Sequence, residues 1–401
     1  MLSEDPWLLP EGIEEVLPDE ARRLERLRRI VLDLFESWGY RQVIPPFIEY
    51  LESLLTGTGR DLDLQTFKLI DQVSGRLLGV RADMTPQVAR IDARHGNHHR
   101  PSRLCYTGTV LHTQCDHLEK SRSPMQVGAE LYGHAGCASD LEIIRLMLTM
   151  FEAADVGEIH LDLGHVGIYR ELVAQAGLSA RQETELFDIL QRKARPELRD
   201  FLSGTPVPGS TGAMLAALID LHGGLDVLVE ARRCLSAAGA GMMSILNDLE
   251  AVAGGLRAGY PGLPIHFDLA ELRGYHFHTG VVFAAFVPGY GREVARGGRY
   301  DDIGKVFGKA RPATGFSADL KVLARLGRSR VDDFDQRTVF VPVQDDPELP
   351  RKIEQLRRDG WIVIHELAGQ DGNAEDMGCK YELRPGKHTW ELAEVNIPNH
   401  P

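Results

Sequence analysis

Cysteine is scarce in this 401-residue chain. Its five cysteines, Cys105, Cys115, Cys137, Cys234 and Cys379, are odd in number, and no two are spaced C-x-x-C. That excludes a disulfide framework and points to free thiols in a reducing cytoplasm. Cys105, His112, Cys115 and His117 lie close together, but they match no zinc spacing and lack a second ligand pair, so no metal is expected. Positive charge is in deficit: 45 Lys and Arg against 58 Asp and Glu give a net charge of −13 and a pI near 5.6. A generic nucleic-acid binder is thereby excluded, because phosphate contacts need surplus cations. Lysine supplies nine of the basic residues and arginine 36, an imbalance we assign to genome composition. No apolar run approaches a bilayer span, so no membrane partner is expected. Met1 to Asp5 offers neither a basic n-region nor an apolar h-region, so no secretory signal is expected. Repeats and low-complexity tracts are missing too. The remaining composition, 43% hydrophobic and 26% charged, is that of a globular chain long enough for two or three domains.

Periodicity predicts the elements. Leu24, Leu27, Val31, Leu34, Phe35 and Trp38 fall on one face of a helix over 19–38 that stops at Gly39. This stripe is core and partner packing. Residues 41–46 read as a strand ended by Pro45-Pro46, and 66–71 with 76–81 as strands around Ser74-Gly75. A helix over 84–95 and strands over 104–111 and 126–132 follow. Ser139 and Glu142 form a capping-box pattern ahead of an apolar helix ending near Phe151. Residues 159–163 alternate as a strand. Residues 168–258 are rich in Ala, Leu, Glu and Arg and predict a helical insert. Strand character returns over 263–287 and 291–298, and 312–326 reads as a strand running into a helix. A charged linker, 328–337, precedes a β-α-β unit and a hairpin turning at Pro385-Gly386. The expectation is an α+β fold with a body over 1–328 and a small C-terminal α/β domain over 336–401.

Several segments in order resemble class II aminoacyl-tRNA synthetases of the histidyl type, over about residues 6–326. Tyr40-Arg41-Gln42-Val43-Ile44-Pro45-Pro46 after the first helix resembles motif 1, the family's dimer element. Thr66 to Asp71 followed by Arg81-Ala82-Asp83-Met84-Thr85 resembles its hairpin and Arg-Pro-Glu-x-Thr signature. Tyr106-Thr107-Gly108 through Gln126-Val127-Gly128-Ala129-Glu130 stands at motif 2. Arg273-Gly274-Tyr275-His276-Phe277-His278-Thr279-Gly280 is similar to the histidyl-specific loop. Gly297 to Asp301 with Pro312 to Phe316 is similar to motif 3. The resemblance implies an antiparallel sheet flanked by helices.

Against that family, two ATP-binding arginines are missing. The motif 2 position is His112, a second basic position is Cys115, and the motif 3 position is Val322. A guanidinium is always charged and grips phosphate with two parallel hydrogen bonds, which neither imidazole nor valine reproduces. Losing one such group costs on the order of 10²–10³ in rate, so adenylate formation is not expected. Lys321, next to Val322, points about 100° away on the helical wheel. The amino-acid half is better kept. By the resemblance, Asp83 with Thr85 faces a substrate ammonium, Gln126 and Glu130 face an imidazole from one side of a strand, and Arg273 faces a carboxylate. Tyr275, His276 and Arg299 belong to the adjoining motifs and complete the expected histidine-binding set, with His278 and Tyr300 beside them.

A kept amino-acid pocket beside a dismantled ATP site is similar to the regulatory subunits of ATP phosphoribosyltransferase. Leu51 to Phe67 and the Arg273 to Gly280 loop resemble that family closely. The resemblance implies a non-catalytic, cofactor-free cytoplasmic protein of histidine biosynthesis. It would form a homodimer core, assemble with the short-form catalytic subunit of ATP phosphoribosyltransferase and take histidine as feedback effector. The alternatives are a divergent histidyl-tRNA synthetase or a free-standing histidine sensor. Thr56-Gly57-Thr58-Gly59 lacks the Gly-Lys-Ser/Thr ending of a P-loop and reads as a turn, and His98-His99 as solvated side chains. Residues 338–401 carry twelve acids and seven bases, a poor surface for tRNA.

Overall fold

A computed structural model describes residues 7–56, 60–96, 99–114, 121–272, 274–275, 277–308, 310–328, 337–387 and 389–395. The chain divides into two compact units, Met1–Arg328 and Ser329–Pro401.

The first unit begins with helix α1 (Pro18–Ser37). Pro18 pre-sets the first turn, and Asp19 and Glu20 lie at the positive end of the helix dipole. Leu24, Leu27, Val31 and Phe35 are buried, and Gly39 ends the helix in a left-handed conformation (φ +82°). Next come β1 (Arg41–Gln42), β2 (Ile48–Tyr50), α2 (Leu51–Leu54), α3 (Arg60–Gln65), β3 (Lys68–Ile70), β4 (Leu77–Val80) and α4 (Thr85–His95). The expected strand over 41–46 keeps only two paired residues, because Pro45 and Pro46 have no N–H to give a ladder. Strands β2, β4 and β3 form a small antiparallel sheet in that order.

Among the described residues the principal sheet has nine strands. Its members are β1, β5 (Ser102–Thr109), β6 (Met125–Tyr132), β7 (His160–His165), β8 (His222–Gly223), β9 (Ile265–Asp268), β10 (Val281–Phe286), β11 (Glu293–Arg299) and β12 (Ala313–Asp319). Their spatial order is β1-β5-β6-β12-β11-β10-β7-β9-β8. Pairing is antiparallel except between β1 and β5 and between β7 and β9. Alternation assigns one face to the apolar core, with Cys105, Val127, Ala129, Leu131, Phe283, Ala295, Phe316 and Ala318 buried there. Helices α1, α5 (Cys137–Ala153) and α12 (Leu320–Leu326) cover that face. Between β7 and β9 the chain makes α6 (Val166–Ala176), α7 (Ala180–Gln191), α8 (Arg195–Gly204), α9 (Gly209–Leu218), α10 (Asp226–Cys234) and α11 (Ala240–Gly259). This insert shares the principal core through Leu172, Leu186, Leu215, Leu246 and Leu256.

Two local expectations are corrected. Ser139 and Glu142 do not cap α5: the N-cap is Gly136 and makes no side-chain cap bond. Ser139 Oγ instead lies 2.8 Å from Gly136 O, and Glu142 pairs with Arg103 (2.7 Å) and Tyr40 OH (3.0 Å). Tertiary partners have taken both side chains. The strand expected over 263–287 breaks into β9 and β10 around a turn that includes Gly274 at φ +67°.

The second unit holds β13 (Thr338–Val341), α13 (Leu349–Arg358), β14 (Ile362–His365), β15 (Tyr381–Pro385) and β16 (Trp390–Glu394). β13 runs parallel to β14 and β15, and β15–β16 is the hairpin, closed by Gly386 N–H donating to Thr389 O (2.9 Å). Val339, Val341, Leu349, Ile353, Leu356, Leu383 and Trp390 form its core. The first unit is thus an α+β arrangement of a mostly antiparallel sheet flanked by helices, and the second is a small α/β unit, as the sequence predicts. No helix among the described residues is long and apolar enough to cross a membrane.

Candidate functional site

The face of the principal sheet opposite the core carries a buried polar cluster. Register sets its surroundings: Tyr106 pairs with Gly128, Gly108 with Gln126, Gly315 with Glu130, and Gly298 with Gly315. These residues all point to one side, towards α4. Glycines here make room for functional groups. A Cβ on Gly315 would stand 1.5 Å from Glu130 Oε2, and one on Gly128 would stand 2.5 Å from Tyr106 OH.

Asp83 and Thr85 sit where β4 turns into α4. Asp83 Oδ1 accepts the Thr85 N–H (3.0 Å) and a hydrogen bond from Gln126 Nε2 (2.7 Å), while Gln126 Oε1 accepts the Met84 N–H (2.9 Å). Gln126 thus ties β6 to the start of α4. Glu130 is 1% exposed. Tyr106 OH donates to its Oε1 (2.9 Å) and also meets Thr85 Oγ1 (2.9 Å); Tyr300 OH donates to its Oε2. Burial pushes the Glu130 carboxyl up to about 8. The hydrogen bonds from Tyr300 and Tyr106 oppose that shift, and the negative charge of Asp83 adds to it. The structure therefore brings Asp83, Thr85, Gln126 and Glu130 together and adds Tyr106 and Tyr300. Tyr106 stands in the motif 2 segment, but only strand register shows that it faces Glu130.

Two expected members lie elsewhere. Arg299 follows Gly298 on β11, so alternation turns it to the other face. There its side chain is 7% exposed and pairs with Asp140 (3.0 Å), Ser139 Oγ (2.8 Å) and the carbonyls of His134 and Gly136 (3.1 Å each). Tyr275 faces the helical insert. Its OH donates to Glu183 (2.9 Å), its ring meets Tyr169 edge-on at 5.1 Å, and the Arg170 guanidinium covers it at 5.0 Å. Arg170 also donates to the carbonyls of Tyr275 (2.7 Å) and His278 (2.6 Å), anchoring the loop to α6. His278 stands over Gly298, with its ring 5.4 Å from Phe277, and burial pulls it down to about 4. Arg273, His276, Cys115 and His117 lie outside the described residues.

At the two positions where the resemblance expects ATP-binding arginines stand His112 and Val322. His112 Nε2 lies 3.0 Å from Ala82 O, and Val322 is 3% exposed within the apolar core. Lys321 Nζ is held by Glu14 (3.2 Å), which also pairs with Arg325. Among the described residues no group of three or more His, Cys, Asp or Glu could hold a metal ion.

Known proteins resemble this chain in sequence and in fold. The family model described as histidyl-tRNA synthetase matches residues 12–323, and the one described as the ATP phosphoribosyltransferase subunit HisZ C-terminal domain matches 336–393. The ATP phosphoribosyltransferase regulatory subunit of Methylococcus capsulatus is 60% identical over 396 residues, covering 98% of this chain and 97% of that one. Its counterpart from Thioalkalivibrio sulfidiphilus is 59% identical, covering 98% and 100%. Among solved structures, an ATP phosphoribosyltransferase regulatory subunit/histidyl-tRNA synthetase from Bacillus halodurans superposes with a TM-score of 0.79 at 26% identity, covering 93% of this chain and 96% of that one. Apo S. aureus histidyl-tRNA synthetase, 17% identical with a TM-score of 0.65 over 96% and 97% of the two chains, shares the fold. On these matches the chain belongs to the ATP phosphoribosyltransferase regulatory subunit family, built on the histidyl-tRNA synthetase fold.

Proposed function

We propose that this chain is the non-catalytic regulatory subunit of a cytoplasmic ATP phosphoribosyltransferase, acting with a short-form catalytic subunit at the first step of histidine biosynthesis. It carries feedback inhibition by binding histidine at the buried polar cluster. The observation that carries this is the buried Glu130–Tyr106–Tyr300 cluster next to Asp83 and Gln126, beside a nucleotide half with His112 and Val322 at the arginine positions. Asp83 receives the ligand ammonium, Glu130 with its tyrosines receives the imidazole, and Arg273 receives the carboxylate. Ligand binding and partner activity are then coupled by a reciprocal free energy of about 1–3 kcal/mol.

The exposed apolar side chains Ile44, Phe47, Ile48, Tyr50 and Leu69 near motif 1 support a homodimer core. The unpaired cysteines Cys105, Cys137, Cys234 and Cys379 support a cytoplasmic setting. The test adds the purified chain to the short catalytic subunit. Phosphoribosyl-ATP formation should rise, and histidine should then inhibit it. No rise with any such partner sinks the proposal. Histidine-dependent pyrophosphate exchange by the chain alone would replace it with a synthetase activity.

A further inference from the structure

The loop between β9 and β10 is held from two sides, by the Glu130 cluster and by the helical insert. Neither strand ladder reaches it, since β9 ends at Asp268 and β10 starts at Val281. Gly274 takes φ +67°, and its carbonyl accepts the N–H groups of Phe277 and His278 (2.8 Å each). On the inner side the Phe277 ring stacks on Tyr300 at 4.9 Å, and Tyr300 OH donates to Glu130. On the outer side α6 and α7 supply a clasp. Arg170 Nη2 carries two N–H groups and donates to Tyr275 O (2.7 Å) and His278 O (2.6 Å). The same guanidinium covers the Tyr275 ring at 5.0 Å. Tyr275 reaches on to α7, where its OH donates to Glu183 (2.9 Å) and its ring meets Phe187 at 5.5 Å. Glu183 and Phe187 are four positions apart, so they present one face of α7 to the loop.

Ordering a loop costs conformational entropy at every residue, and a loop without ladder bonds lies at the low end of local stability. A site that uses such a loop binds only while the loop is in place, and its affinity falls with the fraction of time that it is not. Hydrogen bonds from a charged donor are roughly twice as strong as neutral ones. Here one guanidinium fastens two carbonyls that bracket Phe277, the ring that touches the Glu130 cluster. Arg170 therefore sets where that ring stands. The insert does not need Arg170 to stay attached, because it shares the principal core through Leu172, Leu186, Leu215, Leu246 and Leu256.

We propose that Arg170 is a positioning residue for the histidine site: with Tyr275 and Glu183 it clasps the β9–β10 loop to the helical insert, so that the insert sets the affinity of the site. This rests on the reading that histidine binds beside Glu130. It goes further by giving the insert a role in a site whose carboxylate and tyrosines all lie on the sheet.

The test compares variants of the full chain by hydrogen exchange of the segment 272–280 and by calorimetric titration with L-histidine. In Arg170→Gln the Phe277 and His278 amides should exchange about tenfold faster, and histidine should bind about tenfold more weakly, while the melting temperature barely moves. Arg170→Lys should restore part of both, since an ammonium can still donate to two carbonyls. Glu183→Ala and Tyr275→Phe remove one and the same hydrogen bond. Each should weaken histidine binding less than Arg170→Gln does, and the pair no more than either alone. Glu183→Ala carries the test if Arg170→Gln does not fold. A purely structural arginine would lower the melting temperature and leave loop exchange and histidine affinity unchanged, which overturns the proposal. Faster loop exchange with unaltered histidine affinity overturns it too, and the histidine site itself then stands. If the unaltered chain binds no histidine, the reading of the site and the positioning role fall together.

Discussion

At the scale of single residues, the buried titratable groups pull stability in opposite directions with pH. Glu130 is pushed up to about 8 from a usual carboxyl value near 4.5. Between those values the folded state holds a proton that the unfolded state has lost, so the Glu130 contribution is full below about 4.5 and is lost as pH rises through 8. His165 and His278 are both pulled down to about 4, largely by burial, and His165 Nδ1 accepts the Gly167 N–H (3.0 Å) at the start of α6. Here the unfolded state holds the extra protons, so stability falls as pH drops from about 6.5 towards 4. The expected profile peaks near pH 6.5 and declines on both sides. Glu130→Gln, which imitates the protonated carboxyl, should flatten the alkaline limb and leave the acid limb in place. Denaturant midpoints measured from pH 5 to 9 decide this, and parallel alkaline limbs in both proteins would show that Glu130 ionises normally. The sequence makes Glu130 and Gln126 legible as a same-side pair, because strand spacing is a local property. The Tyr106 and Tyr300 hydroxyls come from other strands, and only the register brings them to Glu130.

At the scale of elements, one arginine fastens a strand to a helix. Arg299 on β11 reaches the first turn of α5, where it pairs with the buried Asp140 and with the carbonyls of His134 and Gly136. Removing the arginine leaves the buried Asp140 carboxylate without its cation, while the carbonyls of His134 and Gly136 keep the Ser139 hydroxyl. Arg299→Ala should therefore cost about 3–5 kcal/mol in chemical denaturation. The double variant Arg299→Ala with Asp140→Ala should cost less than the sum of the single changes, because the second change removes the charge that the first strands. Strict additivity would mean that the two side chains do not act as a pair. The same contact explains a limit of sequence analysis. Arg299 stands one position from Gly298, and a one-residue difference on a strand exchanges the cluster face for the core face. Motif resemblance places it near the site, yet parity turns it away. Ser139 and Glu142 misled for a related reason: a capping-box pattern is local, but the partners these residues chose, Arg299, Arg103 and Tyr40, are 39 to 160 positions away. Helix α1 was legible because its 3–4 spacing and its glycine stop need no distant partner.

At the scale of the whole molecule, the apolar surface near motif 1 is the feature that a single chain leaves unexplained. Ile44 is 82% exposed, and Ile48, Leu69 and Tyr50 are 47%, 45% and 37% exposed. Ile48 and Tyr50 stand opposite Val80 and Leu78 on β4, and Leu69 stands opposite Leu78 from the other edge, so the three share one face of the small sheet. A stable pairing of two chains covers about 800 Å² on each and is apolar at its centre. A chain with net charge −13 gains no attraction to its own copy from charge, so apolar contact must supply it. Two lysines placed at the centre of such a contact would be buried without partners and would face their own copies across the symmetry axis. Ile48→Lys with Leu69→Lys should therefore give a monomer by light scattering at micromolar concentration. Its fold should survive, since both side chains are already half exposed in one chain. Histidine binding should also survive, since Asp83, Gln126, Glu130 and their tyrosines all belong to one chain. A dimeric mass for the double variant would move the pairing to another surface. A monomer that also fails to bind histidine would show that the cluster depends on the second copy.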